Sequence, residues 1–331
     1  MSSSTKTAVR APGGTGSAAG VLSLLERFGP QDWLVIGYLA YATLGVLLAE
    51  PSPARSAALL KMGALFAWSA LGVALVRASW VPEGWLRAIV YRVSIYGPVQ
   101  LSYFFFRDVL PVVNPGSLDR ELQALDVALF GVEPALALDR FVTTATTEWF
   151  SYFYFGYFFV LALHVIPILF FSRSQRILGE FALGALIVAC VGQSIYMLVP
   201  GFGPYKAMES EFQNAFPGGL WYGMVMRTVE SAGALKDIFP SLHTAFPMFI
   251  SLFSFYNRRR LPYKYSWPLV FIYSLNIVGA TLFLRWHYLV DVVAGLVLAF
   301  SAATLSPILI ERDRARRARR ALEPLWPEYN R

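Results

Sequence analysis

The sequence predicts an all-α integral membrane protein with about eight transmembrane helices, and three observations support this fold class. Hydrophobic residues occupy 56% of the 331 positions and charged residues only 15%, a balance that soluble domains rarely reach. The apolar residues gather into windows of about 20 residues, the length that a helix needs to cross the hydrocarbon core. Lysine and arginine accumulate between these windows, as they do in the loops of membrane proteins.

Eight apolar windows define the predicted helices in chain order. They lie at about 33–49, 56–76, 88–110, 149–172, 177–199, 240–256, 267–284 and 288–310. We expect one membrane-embedded domain over residues 32–310. Residues 1–31 are expected to form a disordered cytoplasmic tail without a cleavable signal peptide, because they begin with a small, polar segment. Residues 311–331 are expected to form a basic cytoplasmic tail.

The distribution of charge between the windows predicts the orientation of the chain. With the N-terminus inside, every inner segment carries arginine or lysine, most densely at 258–264 and 311–320. The outer segment 107–148 holds seven acidic residues and three arginines. Both termini are therefore expected in the cytoplasm, in a plasma or inner membrane. Within the outer segment, residues 118–141 have apolar positions at helical spacing and are expected to lie along the membrane interface.

The composition also disfavours several classes of function. The single cysteine, Cys190, excludes a disulfide framework and a thiol-rich metal site. Three scattered histidines do not form a spaced zinc signature, so we expect no metal and no cofactor. The net charge of +7 comes from residues between the spans rather than from one solvent face, so nucleic acid is not an expected partner. Membrane lipids are the expected partners, and the sequence predicts no oligomeric state.

Two stretches place ionisable side chains at the ends of apolar windows. "FPSLHTA" at 239–245 contains His243, and "LRWHYLVDVVAG" at 284–295 contains Arg285, His287 and Asp291. The two histidines are 44 residues apart, the length of one down-and-up helical hairpin, so both are expected at the outer mouth of adjacent spans. His287 and Asp291 are four residues apart and therefore share one helix face.

These residue types suit phosphoryl transfer. A carboxylate at Asp291 would fix the tautomer of His287 and leave its other nitrogen nucleophilic. His243 would protonate a leaving oxygen. Pro240 suits the first turn of a helix, and the amides of Ser241 and its two successors would form an anion site there. The alternative is that both histidines only make hydrogen bonds at an interface.

The two stretches resemble the second and third motifs of the type 2 phosphatidic acid phosphatase superfamily, in "PSLH" at 240–243 and "RWHYLVDVVAG" at 285–295. The similarity covers about residues 90–310 and is closer to the inositol phosphorylceramide synthase and sphingomyelin synthase branch. "LQALDVALFGVEP" at 122–134 and "PGFGPYK" at 200–206 also resemble that branch. The resemblance implies that His287 attacks phosphorus, Asp291 orients it and His243 is the general acid.

The sequence departs from the superfamily pattern where phosphate-binding cations are expected. The Lys–Arg first motif is absent, Leu242 stands where phosphatase members have glycine, and Thr281 stands where they have arginine. Arg285 is the nearest candidate to hold the phosphate, although a snorkelling interfacial arginine is the alternative. Weaker candidates in the loop 200–238, each of which is otherwise a solvated loop charge, are Lys206, Arg227 and Lys236.

The sequence therefore predicts a membrane phosphotransferase or phosphatase that acts on a lipid phosphate or phosphodiester headgroup at the outer face, through a phosphohistidine. Transfer to a lipid alcohol is favoured over hydrolysis because Leu242, Trp286 and Tyr288 would give the histidines an apolar surrounding. Two alternatives stay open: a lipid phosphate phosphatase that uses water, and a non-catalytic lipid carrier or flippase. A vanadate haloperoxidase is disfavoured, since those superfamily members are soluble and depend on the missing basic motif.

Overall fold

The computed structural model describes residues 22–329, except for the side chain of Ala232, and its long elements are helices. The predicted disordered tail lies mostly outside these residues. In chain order the helices are α1 (Pro30–Leu48), α2 (Pro53–Arg77), α3 (Trp85–Val113), α4 (Asp119–Phe130), α5 (Pro134–Asp139), α6 (Thr144–Phe171), α7 (Gln175–Tyr196), α8 (Pro204–Ala207), α9 (Leu220–Ala232), α10 (Leu242–Tyr256), α11 (Tyr263–Phe283) and α12 (Leu289–Arg319).

The prediction of an all-α membrane protein is confirmed. Among the described residues, six helices are long and apolar enough to cross a membrane: α1, α2, α6, α7, α11 and α12. The other two predicted windows coincide with α10, an apolar helix of 15 residues, and with α3, a longer helix of mixed polarity. The arrangement of eight spans stays a prediction.

Helix α7 forms the axis of the bundle. Its apolar window is 89% buried, whereas the windows of the other five candidate spans are between 28% and 39% buried. Helices α1, α10 and α12 pack around it. Two glycines permit this packing, because a Cβ on Gly184 would lie 2.3 Å from the Phe249 ring and one on Gly192 would lie 2.5 Å from Leu242. Small residues at helix contacts let backbones approach closely in membrane proteins.

Packed residues lie at both predicted domain boundaries, and the division into two tails and one membrane-embedded domain stays a prediction. Helix α1 begins at Pro30, and Phe28 and Gln31 are buried, so the N-terminal boundary at residue 31 falls inside a packed element. Pro30 occupies a position in the first turn that suits proline. At the other end, α12 continues past residue 310 to Arg319, and the chain then folds back so that Trp326 is fully buried. The segment predicted as a tail thus contributes to the core.

Trp326 is buried because aromatic and basic side chains of α3 surround it. Its ring lies 5.1 Å from the Tyr91 ring, edge to face, and 5.6 Å from the Arg92 guanidinium. The same guanidinium donates a hydrogen bond to the Pro327 carbonyl at 3.1 Å. These contacts fasten the C-terminal segment to the end of the bundle at which α1 begins.

Candidate active site

The structure brings His243 and His287 together at one end of the bundle, which we call the site end. His243 lies in the first turn of α10, and His287 lies in the turn that joins α11 to α12. Their ring centroids are 6.3 Å apart. The approach follows from the α10–α11 hairpin, because an antiparallel pair of helices returns the chain to the end of the bundle at which it started.

Asp291 lies beside His287 without forming a hydrogen bond to it. The His287 Nδ1 and Asp291 Oδ2 atoms are 3.4 Å apart, and Nδ1 has no hydrogen-bond partner. Asp291 Oδ2 accepts the Tyr288 N–H at 2.9 Å, which caps the first turn of α12. Since catalytic hydrogen bonds are often long before substrate binds, this geometry is compatible with the predicted orienting role, which stays a prediction.

The environment of His287 keeps its imidazole neutral. Burial lowers the pKa of this group to about 4, because the protonated ring would lose its hydration. The Asp237 carboxylate and the Ile238 backbone raise the same pKa and offset part of this effect. His287 is therefore uncharged at neutral pH, the form in which a ring nitrogen has a lone pair for nucleophilic attack.

His243 is held between two tyrosines of α6. Its ring stacks on Tyr154 with centroids 4.4 Å apart and an interplanar angle of 15°, and the Tyr157 ring lies at the same distance on a more tilted plane. The Tyr154 hydroxyl is 3.4 Å from His243 Nδ1. These contacts fix the plane of the imidazole.

Both histidines line one cavity of about 460 Å³. Most of its wall is apolar, and the polar part is formed by Asp237, two glutamines, one threonine and six tyrosines. The described residues that line it include no lysine and no arginine. A cavity of this volume suits the chain of a lipid rather than a hydrated ion.

The cavity extends along the bundle. Helix α6 lines it from Tyr154 to Ile166, a rise of about 18 Å at 1.5 Å per residue. Three large apolar residues that line the cavity are partly exposed: Phe104 of α3 by 45%, and Phe158 and Ile166 of α6 by 44% and 51%. The cavity is thus partly open, with exposed apolar side chains of α3 and α6 on its wall.

Arg285, the nearest predicted phosphate ligand, points away from this cavity. Its guanidinium pairs with Asp139 at 2.6 Å and donates to the Asn214 carbonyl at 2.5 Å. The same group lies over the rings of Phe212 and Phe216, at 3.9 and 4.3 Å from their centroids. Arg285 is absent from the cavity wall, and its role in phosphate binding stays a prediction. It anchors the loop that follows α8.

The three weaker cation candidates lie apart from the histidine pair. Arg227 is exposed on α9. Lys236 donates to three backbone carbonyls, at 2.7 Å to Pro115, 2.8 Å to Gly116 and 3.3 Å to Asn114. Lys206 lies over the Phe202 ring at 3.9 Å, on the same ring that Lys236 approaches at 5.4 Å. Because Phe202 lines the cavity, these two lysines are its nearest cations among the candidates.

Ser241 connects the two histidine helices. It is fully buried, and its N–H donates to the Asp291 carbonyl at 3.0 Å. Its hydroxyl accepts the Thr244 N–H at 3.3 Å as the N-cap of α10. The predicted anion site at this helix start is therefore incomplete, because its first amide is already bonded. Close packing explains this, since a Cβ on Gly295 of α12 would lie 2.5 Å from the Ser241 carbonyl.

Two carboxylates that sequence reasoning did not assign to the site hold its backbone in place. Asp126 accepts the N–H groups of Leu289 and Val290 at 2.7 and 2.8 Å, which satisfies the start of α12. Asp119 accepts the N–H groups of Phe202 and Gly203 at 2.9 and 2.8 Å. Gly203 has φ +90°, and a Cβ there would lie 2.4 Å from the Trp286 carbonyl, so this turn requires glycine.

Two further carboxylates organise the loops above the cavity. Asp139 accepts the N–H of Gln213 at 3.0 Å in addition to its pair with Arg285. Glu148 accepts the N–H groups at the start of α9, at 3.0 and 2.9 Å. The only sequence signal for these roles was the high density of acidic residues in the segment 107–148. That density indicates an outer loop, but it does not reveal which distant backbone amides the carboxylates will bind.

The fold and the site define a class: a helical membrane protein with a pair of histidines on one largely apolar cavity. Residues 120–305 match the family model of the PAP2 superfamily, and the chain belongs to this superfamily. The match includes both histidine stretches and α4. Searches of curated proteins and of solved structures found no match. Membership supports an enzyme of the phosphatase or phosphotransferase type that acts on lipid phosphates.

Proposed function

We propose that this protein transfers a phosphate-linked headgroup from a membrane phospholipid to a lipid alcohol, through a phosphohistidine on His287. This is the reaction type of the inositol phosphorylceramide synthase and sphingomyelin synthase branch that the histidine stretches resemble. We further propose that the site end faces the outer leaflet, as the distribution of basic residues predicts.

The reaction has two half-steps. In the first, a His287 nitrogen attacks phosphorus, the bond from phosphorus to the lipid oxygen breaks, and His243 gives a proton to the leaving oxygen. In the second, an acceptor hydroxyl attacks phosphorus, the phosphorus–nitrogen bond breaks, and His287 is restored. Asp291 stabilises the imidazole in the tautomer that leaves the attacking nitrogen free.

One observation carries the proposal: both histidines face a single cavity whose wall has no lysine or arginine among the described residues. A phosphomonoester carries up to two negative charges and requires cations, whereas a phosphodiester carries one. The apolar wall, with exposed apolar side chains of α3 and α6, favours a substrate that enters from the bilayer and a pocket with little water.

The direct test is a product analysis with purified protein in mixed micelles. We expect a radiolabelled phospholipid to give a labelled product on a ceramide-like alcohol or diacylglycerol, and a covalent label on the protein. Free phosphate or free headgroup phosphate under every condition would support the hydrolase alternative. Absence of any turnover, with binding retained, would favour the carrier alternative.

The proposed orientation is tested by labelling single cysteines, with the buried Cys190 as the background. Arg227 of α9 and Arg259 between α10 and α11 are both exposed. With an impermeant thiol reagent on intact cells, R227C should react and R259C should not. Reaction at R259C alone would reverse the orientation.

A further inference from the structure

Asp237 is the one carboxylate among the described residues that line the cavity. It lies in the loop between α9 and α10, where Gly201 donates its N–H to the Lys236 carbonyl at 3.3 Å. Its Oδ2 accepts the Tyr103 hydroxyl at 2.9 Å. No contact with a lysine or arginine neutralises it in the described part of the chain. The reaction steps above leave this charged group without a role.

The charge of Asp237 acts on the groups that surround the reacting centre. It interacts electrostatically with His287 and with the hydroxyls of five tyrosines: Tyr103, Tyr154, Tyr157, Tyr196 and Tyr205. Burial raises the pKa of the Asp237 carboxyl, which makes the ionised group a stronger base. Asp237 is thus a basic oxygen group on the wall of the cavity that His287 also lines.

A carboxylate at this position repels a phosphate, so it does not serve to bind the phosphorus centre. It accepts hydrogen bonds from hydroxyl groups. Because most of the cavity wall beyond these tyrosines is apolar, an acceptor hydroxyl on an amphipathic molecule with a long chain fits it best.

We propose that Asp237 binds the hydroxyl of the acceptor lipid and takes its proton, so that the two half-reactions use different proton-transfer groups. This inference rests on the proposed function. The acceptor oxygen forms its bond to phosphorus while the phosphorus–nitrogen bond breaks and returns its electron pair to His287. The hydroxyl proton moves to Asp237 and later returns to His243, which lost one to the leaving alcohol. Tyr103 positions the carboxylate.

The test separates the half-reactions with the same labelled phospholipid in micelles, with and without a ceramide-like alcohol. In Asp237→Asn we expect the covalent label on the protein to form at the wild-type rate and to accumulate. Transfer to the alcohol should fall about 100-fold or more, the size of a lost general base. Asp237→Glu should recover part of the transfer, and Tyr103→Phe should slow transfer while leaving labelling unchanged.

The matched control is Asp108→Asn, an exposed acid near the end of α3 whose side chain is 57% exposed and pairs with Lys61. It should change neither step. Two outcomes would overturn the role of Asp237 while leaving the proposed function intact. One is transfer at the wild-type rate by Asp237→Asn. The other is an equal loss of labelling and transfer in a variant whose thermal transition shows that it remains folded. If Asp237→Asn does not fold, Tyr103→Phe decides, and equal slowing of both steps would overturn it. Absence of label on the wild-type protein would instead overturn the proposed function.

Discussion

The bundle has a buried polar cluster at each end, and the two clusters differ in how their charged groups are paired. At the end opposite the site, which we call the far end, Asp32 receives the Arg77 guanidinium at 2.8 Å and the Tyr91 hydroxyl at 2.6 Å. Arg77 also donates to Tyr91 at 2.6 Å and to the Leu325 carbonyl at 3.1 Å. All carboxylate and guanidinium groups of this trio have partners.

The site end contains four buried polar atoms without hydrogen-bond partners inside a stretch of seven residues. They are Arg285 Nε, Trp286 Nε1, His287 Nδ1 and Asp291 Oδ1. An unpaired buried polar group costs about 1–3 kcal/mol, so a folded protein rarely collects four together without a reason. At the far end, the charged groups of Asp32 and Arg77 are paired with each other and with Tyr91. At the site end, several donors and acceptors beside the cavity have no partner. Unpaired polar atoms also occur among buried residues near the far end, such as Gln31 Oε1 and Trp326 Nε1. The candidate site is distinguished because its unpaired atoms lie beside two histidines and a cavity.

Removal of His287 should have the largest effect on chemistry and a small effect on folding. We expect His287→Ala to reduce formation of the covalent label and turnover by at least about 10³-fold, since a nucleophile has no substitute. The thermal transition in detergent should move little. His164→Ala is the control, because His164 only contacts the Val160 carbonyl at 2.9 Å within α6 and does not line the cavity. Near-normal turnover in purified His287→Ala would contradict the mechanism.

The far end should respond in the opposite way. Asp32→Asn leaves the buried Arg77 without its counter-charge, and loss of one partner of a buried ion pair costs about 3–5 kcal/mol. We expect a clearly lower thermal transition, measured in the same detergent. The rate of label formation per folded molecule should stay within about twofold. If the folded fraction lost labelling as strongly as His287→Ala does, the two ends would not be separable in function.

Sequence reasoning anticipated the approach of the histidines because a helical hairpin and a spacing of four residues determine it locally. It did not anticipate the role of Arg285, whose partner Asp139 is 146 residues away in the chain. The packing of Trp326 was missed for a similar reason, since the segment after α12 is short and has no periodicity. Long-range polar contacts depend on the assembled fold, so composition and spacing do not reveal them.

A change at Asp126 should lower both the stability of the site end and the rate of label formation. Asp126→Ala removes both acceptors for the first amides of α12, and loss of a helix cap costs about 1 kcal/mol. We expect label formation to slow about tenfold, because His287 directly precedes this turn and small misplacements are costly. Thermal unfolding and single-turnover labelling measure the two effects. Glu121→Ala, at an exposed position on the same helix, should leave both unchanged. A slower reaction in both variants would indicate a general loss of α4.

The smallest expected effect is a shift in the pH below which the rate of covalent label formation falls. The pKa of His287 is lowered to about 4, so the nucleophile stays neutral until the pH approaches that value, whereas an unperturbed histidine would protonate near 6.5. Label formation measured over short incubations should therefore hold down to about pH 4 and fall below it. In Asp237→Asn the carboxylate that raises this pKa is absent, so the fall should move to lower pH.

The free energy of unfolding should also depend on protonation of His287. The unfolded chain binds a proton at His287 below about pH 6.5, while the folded chain does so only near 4, so stability declines as pH falls through that window. The free energy of unfolding of wild type relative to His287→Ala, measured between these two values, checks the sign. Burial of the His287 imidazole is the cause, because the protonated ring would lose its hydration. If label formation by the wild-type protein fell near pH 6.5 instead, water would reach His287 freely. This result would contradict the apolar surroundings on which transfer to a lipid alcohol depends.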